Sequence, residues 1–126
     1  MTARILIIDD SPTNLKLAAF TLKSEGFIVE VATDAEHAQK VLLDMTPDLI
    51  LMDIALPGMN GLTLTRKLKA DEKLKHIPVV ALTAFAMMGD ERKALDAGCD
   101  GYITKPIDTR KFSQQVAAYL PRQVGK

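Results

Sequence analysis

Residues 47–58 read Pro-Asp-Leu-Ile-Leu-Met-Asp-Ile-Ala-Leu-Pro-Gly, and the first seven of them decide the fold. Leu49 to Met52 is an unbroken apolar run, too short for a helix and bounded by turn residues, so it reads as a strand covered on both faces. It nevertheless ends on a carboxylate, Asp53. A charge at the end of a buried strand requires a compensating partner. The chain holds a second run of the same kind: Arg4 to Ile8 is followed at once by Asp9 and Asp10. If the two strands are parallel neighbours, three carboxylates converge at one sheet edge, an arrangement that is unfavourable unless a cation sits among them.

Working outward, short apolar runs alternate with helical spacing along the whole chain. The strands are expected at Arg4–Ile8, Phe27–Ala32, Asp48–Asp53, Pro78–Leu82 and Gly101–Thr104. After the first strand, Ser11 is placed to cap a helix, Pro12 to occupy its first turn and Gly26 to end it. Leu15, Ala18, Ala19 and Leu22 form its apolar track. Asp34 is placed to cap the second helix, with Ala38, Val41, Leu42 and Met45 as its track. The third follows Asn60-Gly61 with Leu64 and Leu68, the fourth ends at Ala97-Gly98, and the fifth carries Phe112, Val116, Tyr119 and Leu120. Five such units imply an α/β fold, a doubly wound parallel sheet with helices on both faces, because right-handed crossovers leave few other ways to bury such strands.

Composition limits the function. A chain of 126 residues, 48% of them apolar, can bury one core without disulfides or structural metal. Sixteen basic residues balance sixteen acidic ones, so no bulk field attracts nucleic acid or an anionic membrane, and neither is expected as a partner. The single cysteine, Cys99, cannot form an internal disulfide, and no apolar signal segment follows Met1. A cytoplasmic protein is expected, with one domain over residues 1–121, a short tail at 122–126 and no output domain.

In a parallel sheet both acidic strand ends lie at the carboxyl edge, where open α/β folds bind their ligands. The loops at that edge would carry Asp9-Asp10-Ser11, Asp53 to Gly58, Thr83-Ala84 and Lys105-Pro106. This ordered set, with Tyr102 three residues before Lys105, resembles the receiver domain of two-component response regulators from about Arg4 to Leu120. Each motif is weak alone, but the set in this order is specific. Within that family, segments 47–61 and 76–90 are most similar to single-domain DivK-type regulators and to receivers attached to hybrid kinases.

The resemblance implies a flavodoxin-like (βα)5 fold with strand order 2-1-3-4-5. It also implies phosphorylation on Asp53, by a sensor histidine kinase or a histidine phosphotransfer protein, in a reaction that needs Mg²⁺. As a hard cation that keeps waters and prefers oxygen, Mg²⁺ would take Asp10 and Asp53 directly and Asp9 largely through water. The family adds the backbone carbonyl of Ala55. Lys105 would neutralise the phosphoryl oxygens, and its bond to Pro106 is often cis in the family. Thr83 would turn its hydroxyl to the phosphate and vacate space for Tyr102, so that the face formed by the fourth helix, fifth strand and fifth helix changes its affinity for a downstream protein. The chain would then be a phosphoacceptor and not a turnover enzyme, with slow self-dephosphorylation, and a monomer or weak dimer.

Each residue also has a plainer role. An aspartate at a strand end is usually a cap or a solvated loop residue, Thr83 could simply finish a strand, and Tyr102 could be an edge-strand aromatic half in water. The joint placement with Lys105 outweighs these. Met45 and Met52 fall at core spacing, while Met87 and Met88 suit an adaptable surface. Cys99 is expected to be buried, and His37 and His76 are too far apart to share a metal. Leu17 and Phe20 exceed what one buried face of the first helix explains and suit contact with a kinase or phosphotransfer domain.

Ala55 and Phe85, two residues beyond Asp53 and Thr83, cannot orient an attacking water, which implies a long-lived phosphoryl group. Three other functions compete. A Mg²⁺-dependent phosphatase with an Asp nucleophile needs an acid where Ala55 stands. A flavin module needs a phosphate-cradling first loop, where Asp9 and Asp10 would repel one. A phosphorylation-independent adaptor would not need the acidic set.

Overall fold

The computed structural model describes residues 3–53, 61–83, 88–104 and 107–120, with the side chains of Thr83 and of residues 88–91 outside that description. Five strands, β1 (Arg4–Ile8), β2 (Ile28–Ala32), β3 (Leu49–Asp53), β4 (Val79–Thr83) and β5 (Gly101–Thr104), alternate with five helices. The helices are α1 (Pro12–Ser24), α2 (Ala35–Asp44), α3 (Gly61–Ala70), α4 (Met88–Ala97) and α5 (Phe112–Tyr119). All strand pairs are parallel and the sheet order is β2-β1-β3-β4-β5. This is the expected flavodoxin-like fold.

Strand alternation divides the core into two layers. Ile5, Ile7, Leu49, Leu51, Val80 and Leu82 face Leu15, Ala18 and Leu22 of α1 and Phe112 and Val116 of α5. Leu6, Ile8, Ile50, Met52, Val79 and Ala81 face Ala35, Ala38, Leu64, Leu68 and Ala94 of α2, α3 and α4. Every residue of β3 is buried, because it is the central strand and is covered on both sides.

The helix boundaries follow their caps. Ser11 Oγ accepts the Asn14 N–H at 3.3 Å with Pro12 in the first turn, and Asp34 Oδ1 accepts the His37 N–H at 2.7 Å. At the end of α1, Gly26 has φ +96°, its N–H donates to the Lys23 carbonyl, and the Phe27 N–H donates to the Leu22 carbonyl. Two such reversed bonds close a helix only if the residue between them can take positive φ. Phe27 is therefore the last residue of this stop and not the first of β2.

Asp48 and Pro78 likewise precede their strands, and Thr83, placed just outside by the sequence pattern, ends β4. On α2 the fully buried residues are Ala35 and Ala38, while Val41 and Leu42 are only partly covered. Met45 is half-buried at its C-cap, whereas Met52 is in the core. Cys99 is buried as expected, and its burial pushes the thiol pKa up.

Candidate functional site

The acidic edge forms as the strand register dictates. Ile8 of β1 pairs with Met52 of β3, so the next residue on each, Asp9 and Asp53, lie side by side at the carboxyl end of the sheet. Asp9 continues the ladder, its N–H donating to the Ala32 carbonyl of β2 at 3.1 Å. Its Oδ1 accepts the Ser11 N–H at 2.9 Å, so Ser11 both orients this carboxylate and caps α1. Asp9 is 1% exposed and Asp53 6%, while Asp10 faces solvent.

One oxygen from each of Asp9, Asp10 and Asp53 lies within 4.8 Å of the others, the one cluster of potential metal-binding side chains among the described residues. The buried pair Asp9 and Asp53 repels by roughly 3 kcal/mol at an effective dielectric of 20, and each pair that includes exposed Asp10 by about 1 kcal/mol with water-like screening. An oxygen-only donor set that converges on one point matches a hard divalent cation such as Mg²⁺. The donor set excludes a soft-metal reading, because it contains no thiolate or imidazole.

The other residues singled out from sequence are placed as follows. Thr83 ends β4 and pairs with Thr104 of β5, one strand over from Asp53, which pairs with Leu82. Tyr102 pairs with Ala81 and is half-buried against the core layer that faces α2, α3 and α4. Ala55, Ala84, Phe85, Met87, Lys105 and Pro106 lie outside the described residues, as do the side chains of Thr83 and Met88. Leu17 and Phe20 of α1 are exposed, Phe20 by 73%. His37 serves the α2 N-terminus, where its Nδ1 accepts the Thr33 N–H at 3.3 Å, and His76 is exposed well outside the acidic cluster.

Two structural aspartates near strand starts were given no bonding role by the sequence: Asp48, read there as the first residue of the third strand, and Asp100. Each bonds the first residue of a neighbouring strand. The only local signal is an acidic residue directly before a strand, which reads equally well as a turn. No described helix is long and apolar enough to cross a membrane.

Comparison with known proteins gives a consistent match. The family model described as response regulator receiver domain matches residues 5–117. The polar-differentiation response regulator DivK of Brucella ovis is 42% identical over 120 residues, 95% of this chain and 98% of that relative. Among solved structures, the receiver domain of a sensor histidine kinase from Pseudomonas aeruginosa PAO1 has a TM-score of 0.85 at 31% identity, covering 94% of this chain and 98% of that one. That structure carries a magnesium ion coordinated in its active-site cleft. The chemotaxis response regulator CheY4 of Vibrio cholerae shares the fold, with a TM-score of 0.90 at 23% identity over 95% of this chain and all of that one.

Proposed function

The chain belongs to the response regulator receiver domain family, and on that premise we propose that it is a stand-alone phosphoacceptor whose output is a change in partner affinity. The observation that carries this reading is the convergence of Asp9, Asp10 and Asp53 within 4.8 Å at the carboxyl end of the sheet. Asp10 and Asp53 would hold Mg²⁺ directly and Asp9 through water, with the Ala55 carbonyl as a further ligand. When bound, Mg²⁺ supplies positive charge to the phosphoryl oxygens and fixes their orientation.

The chain's own residues do the rest. A carboxylate oxygen of Asp53 attacks the phosphorus of a phosphohistidine; an O–P bond forms, the P–N bond breaks, and the imidazole leaves with the electron pair and takes up a proton. Lys105 balances charge on the transferring group. Neither Ala55 nor Phe85 offers a polar side chain to orient a hydrolytic water at the acyl phosphate. The phosphoryl group therefore persists, and its removal falls to a partner. The Thr83 hydroxyl then bonds a phosphoryl oxygen, Tyr102 moves into the space it leaves, and the α4-β5-α5 face changes its affinity for a downstream protein.

Exposed Leu17 and Phe20, on the helix that follows Asp9 and Asp10, supply an apolar contact for the histidine kinase or phosphotransfer protein. The DivK relative and the magnesium-bearing receiver support this reading by similarity. Incubation with phosphoramidate and Mg²⁺ should label the protein once per chain. Asp53→Asn should abolish labelling, and full labelling of that variant would place the acceptor elsewhere.

A further inference from the structure

The starts of two strands carry the same device. Asp48, just before β3, donates its N–H to the Arg4 carbonyl at 2.8 Å, and its Oδ2 accepts the Arg4 N–H at 2.8 Å. Asp100, just before β5, donates its N–H to the Val79 carbonyl at 2.7 Å, and its Oδ2 accepts the Val79 N–H at 2.8 Å. In both places an aspartate closes a ring on the first residue of the adjacent strand. Each ring fixes where its own strand begins against that neighbour.

Among the described residues, only the second ring is held from outside. Lys69 Nζ lies 2.9 Å from Asp100 Oδ2 and also donates to the Ile77 carbonyl at 2.9 Å and the Lys75 carbonyl at 3.3 Å. The lysine stem passes over Gly98, where an added Cβ would come within 3.0 Å of Lys69 Cγ and where φ is +113°. Glycine meets both conditions there.

The two strands differ in how much they need such a pin. β3 is paired on both sides and wholly buried, so a slip of one residue would turn its apolar set to the wrong faces. β5 is a four-residue edge strand with one neighbour and an exposed final residue. Apart from Asp100, its position is marked by Gly101, where an added Cβ would collide with the ring of Tyr119 on α5. A strand advances about 3.3 Å per residue. Reacting groups tolerate misplacement of only about 1 Å.

We infer that Asp100, held by Lys69, is a positioning residue for phosphoryl transfer: it sets β5 against β4, and so sets where the carboxyl end of β5, with Lys105 next in the chain, meets the acidic edge. The inference rests on the roles proposed above for Asp53 and Lys105. Asp100 itself sits at the amino end of the strand and touches no reacting atom.

The test is the rate of labelling by phosphoramidate at saturating Mg²⁺, per folded molecule, with Mg²⁺ affinity measured separately by calorimetry. Asp100→Ala should slow labelling about tenfold or more. Its Mg²⁺ affinity should be unchanged, because the three carboxylates sit on or directly after β1 and β3. Asp100→Asn keeps an oxygen for the Val79 N–H and should lose about threefold at most, and Lys69→Met should fall between the two. Asp48→Ala removes the corresponding carboxylate bond, to the Arg4 N–H, from a strand fixed on both sides and should stay within about twofold of the parent.

Wild-type labelling by Asp100→Ala would overturn the inference, as would an equal loss in Asp48→Ala or a matching loss of Mg²⁺ affinity. If Asp100→Ala fails to fold, Asp100→Asn and Lys69→Met carry the comparison, and wild-type rates in both would overturn it. Lys105→Met separates the two layers of reasoning. If that variant alone labels normally, the role given to Lys105 is wrong. If it labels slowly and Asp100→Ala slows it further, Asp100 does not act through Lys105.

Discussion

Replacing Asp10 by asparagine should stabilise the metal-free protein and at the same time remove most of its response to Mg²⁺. The three carboxylate oxygens lie within 4.8 Å of one another. At that separation each ionised pair repels by about 1 kcal/mol with water-like screening and roughly 3 kcal/mol at an effective dielectric of 20. Asp10 is exposed, so the lower value applies to its two pairs, and its removal should raise stability without metal by about 1–2 kcal/mol. For a domain of this size that is a rise in Tm of roughly 3–8 °C. With the parent chain, Mg²⁺ at a hundred times its Kd should add about 2.7 kcal/mol by linkage, and Asp10→Asn should lose most of that increment. Thermal unfolding in EDTA and in excess Mg²⁺, for parent and variant, gives all four numbers. A variant that is less stable in EDTA, or that keeps the parental Mg²⁺ shift, would refute the reasoning.

Other outcomes follow from separate parts of the molecule. Gly101→Ala places a methyl group in the ring of Tyr119 and should cost about 1–3 kcal/mol by urea unfolding, whereas Gly26→Ala meets nothing within 4 Å and should cost only the strain of its positive φ, about 1 kcal/mol. Phe20→Glu should slow phosphotransfer from the cognate histidine kinase at least tenfold while leaving labelling by phosphoramidate unchanged; equal effects on both donors would contradict a docking role for α1. Ala55→Asn and Phe85→Glu each restore a polar side chain and should shorten the lifetime of the phosphorylated form several-fold, measured by decay after donor removal. No acceleration in either would remove these positions as the cause of persistence.

The sheet was legible because its strands are apolar without interruption, and the helices because Ser11, Pro12, Gly26 and Asp34 mark their ends by local chemistry. Strand starts were less so. Phe27 looks like a β residue, yet its N–H is used by the stop of α1. The acidic edge was readable from Asp9, Asp10 and Asp53 alone, since each follows an apolar run. The bonds of Asp48 and Asp100 were not, because their partners lie 44 and 21 residues away in the chain and no local pattern encodes them. The same holds for Lys69, an ordinary helix lysine by sequence that reaches the Lys75 and Ile77 carbonyls before β4 and the Asp100 carboxylate before β5. Thr65, fully buried on α3, is a further case: its hydroxyl bonds the Gly61 carbonyl at 2.8 Å and packs on the sulfurs of Met52 and Cys99.

The most direct measurement locates the phosphoryl group. The protein is treated with phosphoramidate and Mg²⁺, the acyl phosphate is trapped by borohydride reduction, and the modified residue is identified by peptide mass spectrometry. The account predicts reduction at Asp53 alone, dependent on Mg²⁺ and lost on chelation. Modification at another residue, or labelling of Asp53 that proceeds equally well in EDTA, would contradict it.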